Sequence, residues 1–387
     1  MENNTHKWIW EHEDYPHFPY DKESIKEKLR RAEYLRGLLA GILSFANKKD
    51  LDQIEIASLT DEIVGTSQIE GEYLRRESVR DSVAKAINKE YTSAEDMSTR
   101  HTDNLVELML DSHHNNQPLT VERLHGWHNA LFANTGGHEG IKKINVAVFR
   151  EYDDMRVIEK SFGRGGNIVK YVAPPHRRMK KDINALIEYC NTSDEDPYIK
   201  SALAHLWFVS THPYDDGNGR MSRAIADYIL SRDTKEEHKI YSMSTAIYAK
   251  RDEYYTILDM TTNLHKNRHY DFTLWIEWNI DILISALEVS HERIGFILKK
   301  TKFWDKYREV KLTSEHIQFL DAFIDGLSKG KHNAFSNADY REITGAIPMT
   351  ANRHIKKMLE YGLVKQVEGK GGRSVSYTLL FDVDEKG

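Results

Sequence analysis

The sequence contains a single cysteine, Cys190, in 387 residues. That excludes an internal disulfide framework and any metal site built on several thiolates, and it fits a reducing compartment. No run of about 18 apolar residues occurs, so no stretch is expected to cross a bilayer as a helix. The opening residues, Met-Glu-Asn-Asn-Thr-His-Lys, lack the basic-then-apolar order of a secretory signal. The expectation is a soluble, cytoplasmic protein with no membrane partner. Basic charge is not in excess either, with 54 Lys and Arg against 60 Asp and Glu, which argues against a protein dominated by nucleic-acid binding. Internal repeats and low-complexity tracts are absent. The length does allow two or three domains, at least one large enough to enclose a buried site.

Apolar residues recur at three- and four-residue spacing through much of residues 22–300, as in Ile25, Leu29, Ala32, Leu35, Leu38 and Leu39, so a mainly α fold is predicted. Asn115-Asn-Gln-Pro118 precedes a helix opening near Thr120, and Thr135-Gly-Gly137 follows it. The stretch Val146 to Val172 alternates as a β-hairpin would, around Gly163-Arg-Gly-Gly166, and Pro174-Pro175 closes it. A long helix is expected from about Phe272 to Lys299, then a polar joint at Lys299-Lys-Thr-Lys302. Beyond Leu312 the order becomes helix, turn, helix, then two strands around a glycine turn, which is the order of a winged helix-turn-helix. The domains are therefore read as an N-terminal helical region over 1–92, a central domain over 93–300 and a winged helix-turn-helix over 311–387. From Arg341 to Arg373 seven Lys or Arg stand against three Glu. Arg353, Lys356 and Lys357 fall on the second helix, and Lys370 and Arg373 on the wing. The excess is modest, so a packing, dimer or protein-docking role is favoured over DNA binding, which stays open.

The chemistry is concentrated in His212-Pro-Tyr-Asp-Asp-Gly-Asn-Gly-Arg220. Residues 200–211 form an apolar helix that His212-Pro213 must end, and Arg220 to Leu230 resumes a helical period. The glycines between them can turn backbone N–H groups inward at the start of the second helix, where free donors and the helix dipole favour a phosphate. Arg220 and Arg223 lie three apart on that helix, and planar guanidinium groups suit phosphate oxygens. His212 can accept a proton near neutral pH. Asp216 can hold Mg²⁺ that also touches phosphates. At about 5% per fixed residue, such a string arises by chance at roughly 10⁻⁹ per position.

The string resembles the signature of the Fic family, His-Pro-Phe-x-Asp/Glu-Gly-Asn-Gly-Arg-x-x-Arg, departing only at Tyr214 where Phe is usual. The resemblance covers roughly residues 95–290 and implies a helical bundle with a β-hairpin flap. It implies a protein adenylyltransferase that moves AMP from ATP onto a Ser, Thr or Tyr hydroxyl and releases diphosphate. His212 would be the general base, Asp216 the Mg²⁺ ligand and Gly217-Asn218-Gly219 the anion hole. Arg220 would contact the α- and β-phosphates and Arg223 would orient the γ-phosphate. The flap, about Phe149 to Tyr171 with Val169, Lys170 and Tyr171 nearest the site, would receive the target as an added strand. Tyr254 and Tyr255 resemble the family segment that lines the adenine pocket, although Thr262-Asn263 replaces its usual asparagine position.

Thr66-Ser-Gln-Ile-Glu70-Gly71 resembles the family's inhibitory helix signature, Ser/Thr-x-x-x-Glu-Gly/Asn, placed N-terminal to the catalytic domain. Glu70 would pair bidentately with Arg223 and silence the enzyme. Self-modification and a homodimer are further implications. Two rival readings use the same residues: a hydrolase that removes AMP, with Glu70 aligning water, and a nucleotide-sensing, DNA-binding regulator. Elsewhere, the aromatic segment Trp8-Ile-Trp10 is expected to pack on the body, and His125 and His128 to serve the core or surface rather than zinc. His113-His114 is expected to be a solvated helix end.

Overall fold

The computed structural model describes residues 7–93, 95–133, 138–139, 142–159, 168–328, 333–367 and 375–381. These residues form fourteen α-helices and three two-stranded antiparallel sheets. The chain divides into two compact units, residues 1–290 and 291–387. No helix among the described residues is long and apolar enough to cross a membrane.

The first unit begins with α1 (Lys22–Leu43), α2 (Lys48–Ile69), α3 (Arg76–Ile87), α4 (Arg100–His114) and α5 (Val121–Phe132). The short strands β1 (His138–Glu139) and β2 (Lys142–Lys143) follow, then β3 (Arg156–Glu159) and β4 (Ile168–Val172). Next come α6 (His176–Thr192), α7 (Pro197–Thr211), α8 (Asn218–Thr234), α9 (Met243–Ala249), α10 (Arg251–Thr262) and α11 (Thr273–Lys306). Polar caps set several starts: the side chains of Asn47, Thr120 and Asp196 accept from the first-turn N–H groups of α2, α5 and α7.

Helix α7 is buried on nearly every side and lies at the centre, with Ala204, Leu206 and Phe208 fully buried and its buried Lys200 paired with Asp233. Helix α8 packs against it, which brings the His212 loop between them into the interior of the unit. Helix α2 is held differently. It buries Glu55 and Glu62, whose carboxylates need partners once removed from water. Glu55 accepts from the Lys239 backbone N–H and pairs with His114 and His238; Glu62 accepts from Ser244. Gly65 allows the tightest approach of α2 to α9, since a Cβ there would stand 2.7 Å from the Thr245 nitrogen.

The second unit contains the end of α11, then α12 (Ser314–Ser328), α13 (Asn337–Thr344), α14 (Pro348–Glu360), β5 (Val364–Gln366) and β6 (Tyr377–Leu379). Ser336 caps α13 in a capping box with Asp339, and Gly345 ends it in the left-handed conformation, φ 69°. Phe319, Tyr340, Ile355, Met358 and Leu363 form its core.

Three local expectations are corrected. Lys299-Lys-Thr-Lys302 is not a joint but lies inside α11, where Lys300 pairs with Asp321 and Asp325. Lysines are good helix formers, so charge alone did not mark a break. His113 is not solvated: its ring is buried against Asp227, while His114 reaches Glu55. The hairpin is shorter than its alternation implied, starting at Arg156 rather than Val146. Thr135-Gly-Gly137, Gly163-Arg-Gly-Gly166, Lys370 and Arg373 lie outside the described residues.

Candidate active site

The loop from His212 to Asn218 is fixed by its own side chains. Pro213 disfavours a right-handed helical conformation at His212, which adopts φ 49° and ψ 59° and ends α7 with its N–H on the Phe208 carbonyl at 3.0 Å. A left-handed non-glycine residue costs roughly 1–2 kcal/mol, strain that recurs at functional sites. Asn218 closes the loop: its Oδ1 accepts from the Tyr214 N–H at 2.9 Å and its Nδ2 donates to the Tyr214 carbonyl at 2.8 Å. Gly217, at φ 77°, begins α8, and a Cβ there would also meet the Phe132 ring at 2.9 Å.

Tyr214 is buried and stacks on His128, with ring centroids 4.0 Å apart, and its hydroxyl meets His125 Nδ1 at 2.9 Å. The histidine thus accommodates the extra oxygen where the family has Phe. The Ala147 N–H donates to His128 Nδ1, which leaves the proton on Nε2 to meet the Asp216 carbonyl at 3.2 Å. Burial pushes the His128 pKa down to about 4, so the ring is neutral and can play both parts. Neither histidine belongs to a metal-ligating cluster of three or more His, Cys, Asp or Glu side chains, and no such cluster occurs among the described residues.

His212 is partly buried, and its Nδ1 lies 3.0 Å from the Val209 carbonyl. That carbonyl can only accept, so the proton sits on Nδ1 and Nε2 presents its lone pair. Burial, with the Arg150 charge, lowers the imidazole below its ordinary pKa although Asp216 and Glu70 oppose this. A neutral imidazole with a free Nε2 is a competent base.

Behind it stands Arg150, which the sequence reading did not single out. Its guanidinium is buried and donates to the carbonyls of His212 at 2.8 Å, Tyr152 at 2.6 Å and Pro174 at 2.6 Å. Its own N–H meets the Pro213 carbonyl at 2.9 Å. One side chain therefore ties the strained end of α7 to the segments flanking the hairpin. Its partners are backbone atoms, which carry no sequence signal.

On the other side of the loop, the C-terminal turn of α2 is gripped by three arginines. Arg223 Nε donates to Thr66 Oγ1 at 2.8 Å, and its Nη2 reaches the Thr66 carbonyl at 3.1 Å and Glu70 Oε1 at 2.8 Å. The expected bidentate pair is thus a single hydrogen bond, with Thr66 on the Nε and Nη2 donors and Nη1 left without a hydrogen-bond partner among the described residues. Arg251 Nε donates to the Ile69 carbonyl at 2.7 Å and the Tyr255 hydroxyl to the same oxygen at 3.3 Å. The terminal carbonyls and negative dipole end of a helix suit such donors. The Glu70 carboxylate lies directly over Gly219, where any Cβ would overlap it. Gly71, at φ 83°, turns the chain, and Glu72 Oε2 then accepts from Arg220 Nη1 at 3.1 Å. Glu72 Oε1 also meets His101 Nε2 at 2.9 Å. That hydrogen bond, with the Arg220 charge, holds the Glu72 carboxyl below its usual range against the opposing effect of burial.

A cavity of about 770 Å³ opens beside this turn, lined by Glu70, His212, Gly219, Lys170, Tyr254 and Tyr255 among others. It lies within the roughly 300–1,000 Å³ span of small-molecule sites. Tyr255 is exposed there, whereas Tyr254 is buried with its hydroxyl 3.2 Å from His205 Nε2. In β4, Val169 pairs with Ile158 across the hairpin and Lys170 faces the cavity. Tyr171 turns inward: its hydroxyl donates to the Ser210 carbonyl at 2.9 Å and its ring meets Trp8. Trp10 donates to the Val172 carbonyl at 2.8 Å, so the aromatic N-terminal segment braces the hairpin as expected.

A phosphate-bearing nucleotide fits these residues on two observations. Arg223 Nη1 is buried with no hydrogen-bond partner among the described residues, and the Cβ-free surface of Gly219 already receives an anionic carboxylate. The partly exposed Asp216 carboxylate beside Gly217 is the donor suited to a hard cation.

The model of the Fic/DOC family matches residues 118–230, and a domain of unknown function, DUF4172, matches residues 8–88. A Fic family protein from Desulfovibrio desulfuricans G20 shares the fold at 17% identity and a TM-score of 0.53, over 94% of this chain and 98% of that one. A Fic-domain-containing signaling protein from Bacteroides thetaiotaomicron VPI-5482 matches at 16% identity and a TM-score of 0.48, over 72% of this chain and 96% of that one. The matched model and the signature loop within it show that this chain carries a Fic/DOC-family domain over residues 118–230, and the likeness to the Desulfovibrio protein shows a shared, mainly helical fold.

Proposed function

We propose that the chain is a protein adenylyltransferase held off by its own α2 terminus. The observation that carries this reading is the Glu70 carboxylate lying over Gly219 and bonded to Arg223, within reach of a cavity that His212 also lines. In the active state the target hydroxyl oxygen bonds to the α-phosphorus of ATP, the bond to the bridging oxygen of the β-phosphate breaks, and diphosphate leaves. His212 Nε2 takes the hydroxyl proton. The backbone donors at the start of α8 and the guanidinium groups of Arg220 and Arg223 face the phosphates, offsetting charge as it shifts to the leaving group. Mg²⁺ held by Asp216 would neutralise phosphate charge when bound.

Glu70 and Glu72 together would compete with ATP. The first takes a donor edge of Arg223 and the second one of Arg220, so a nucleotide must displace both carboxylates to use either guanidinium fully. Helix α2 is docked both by apolar side chains, Ile54, Leu59, Ile63 and Ile69, and by the buried carboxylates of Glu55 and Glu62, which need their partners or water.

The test is incubation of wild-type and Glu70→Gly protein with α- or γ-radiolabelled ATP and Mg²⁺, with the chain itself and a cell lysate as acceptors. Alpha-label uptake by Glu70→Gly, weak in the wild type and absent in His212→Ala, is the expected result. Gamma-label uptake would replace this reading with phosphorylation. Loss of AMP from a modified acceptor, dependent on Glu70, would favour the hydrolytic reaction instead.

A further inference from the structure

We infer that the outward face of α14 is a duplex-DNA docking surface, read from the second unit alone and independent of the transfer chemistry. Ala351, His354, Ile355 and Met358 face inward and are buried. The residues at the complementary helical spacing, Met349, Asn352, Arg353, Lys356, Lys357 and Glu360, are exposed. Three of these are cations at i, i+3 and i+4, on adjacent turns of one face. Among the described residues none of the three makes an ion pair, whereas Lys300 in the same unit is bonded to Asp321 and Asp325.

The charge balance supports the same partner. Residues 291–387 carry 17 Lys and Arg against 13 Asp and Glu, while the preceding 290 residues carry 37 against 47. The acidic total of the chain hides a basic second unit, which is why composition alone pointed away from nucleic acid. A polyanion is attracted to such a patch by releasing its condensed counterions.

The geometry is that of a groove reader. Helix α14 spans thirteen residues, about 20 Å at 1.5 Å per residue, and follows α13 through the Gly345 turn. An α-helix fits a major groove about 12 Å wide. Met349 is 78% exposed at the leading end of the face, an apolar side chain suited to a thymine methyl. The Asn352 carbonyl oxygen is taken by Asn337 Nδ2 at 2.7 Å, which leaves its amide nitrogen as the donor. Lys365, exposed on β5, adds a cation beside the helix in sequence order.

The test is fluorescence anisotropy of the full chain with a labelled, mixed-sequence DNA duplex across a salt series. Three phosphate contacts correspond to about a 40-fold loss of affinity between roughly 50 and 200 mM salt. The combined Arg353→Glu, Lys356→Glu and Lys357→Glu variant should bind at least about tenfold more weakly, with its thermal midpoint and α-label transfer unchanged. Arg353→Ala serves where the triple variant fails to fold, and should lower the salt slope by about one contact. Absence of duplex binding at low salt, equal binding by the variants, or binding of RNA or protein only would each overturn the assignment.

Discussion

Arg220 Nη1 donates to Glu72 Oε2 at 3.1 Å, two residues beyond the carboxylate that Arg223 holds. The α2 terminus therefore meets both signature arginines. Removing Glu70 should raise α-label transfer about 10- to 100-fold, the equivalent of one charge-assisted hydrogen bond. Glu72→Gln should raise it several-fold in the wild-type background and add little once Glu70 is gone, because that carboxylate is partly solvated. Initial rates of self-labelling for the two single variants and the double variant check this, and a silent Glu72→Gln would remove Glu72 from the inhibitory role.

His212→Ala, made in the Glu70→Gly background, should lower the transfer rate by about 10²- to 10⁴-fold, the range of a lost general base. ATP affinity by calorimetry should change little, because the imidazole supplies a proton acceptor rather than a phosphate donor.

The acid limb of kcat/KM for Glu70→Gly should have its midpoint below the ordinary histidine value of about 6.5. Burial lowers the His212 pKa in the folded protein, and Glu70, whose charge raises it, is absent from this variant. The base therefore stays deprotonated as pH falls through 6.5 and is lost only at lower pH. A midpoint above 6.5 would contradict the buried, neutral imidazole.

Arg150→Lys should reduce thermal stability and kcat together while leaving KM for ATP nearly unchanged. An ammonium carries its three donors on one nitrogen and cannot reach the four carbonyls that the guanidinium fork contacts from three separate nitrogens, and each hydrogen bond to a charged group contributes about 1.5–3 kcal/mol. Thermal unfolding measured beside steady-state kinetics would separate this positioning role from phosphate contact, which would raise KM.

Gly65→Ala should activate the enzyme without touching either carboxylate. The added methyl would push against the Thr245 backbone at 2.7 Å, and backbone cannot swing aside as a side chain can. Faster hydrogen exchange in α2, alongside raised self-labelling, is the expected pair of observations.

The catalytic loop was legible in the sequence because its parts are consecutive: His212-Pro213 ends one helix, the glycines turn, and Arg220 and Arg223 share the next. The Thr66 to Gly71 segment was legible only through its resemblance, and Glu72 was passed over although it follows Gly71 directly. Arg150 and the contact made by Arg251 could not be seen, since both side chains act on carbonyls brought near by tertiary folding. Tyr171 illustrates the opposite case: alternation placed it on the hairpin, but the hydroxyl's partner is the distant Ser210 carbonyl, and that turned it inward.

The left-handed turn at Gly71 gives the α2 terminus the properties of a bivalent ligand. Its two carboxylates are joined by one residue and face two arginines that are one helical turn apart. If an arriving nucleotide displaces only one carboxylate, the other keeps it at high effective concentration and it returns quickly. Release should therefore be a steep function of whatever pulls on α2: weak tension achieves almost nothing, and withdrawal of the whole turn exposes both guanidinium groups at once.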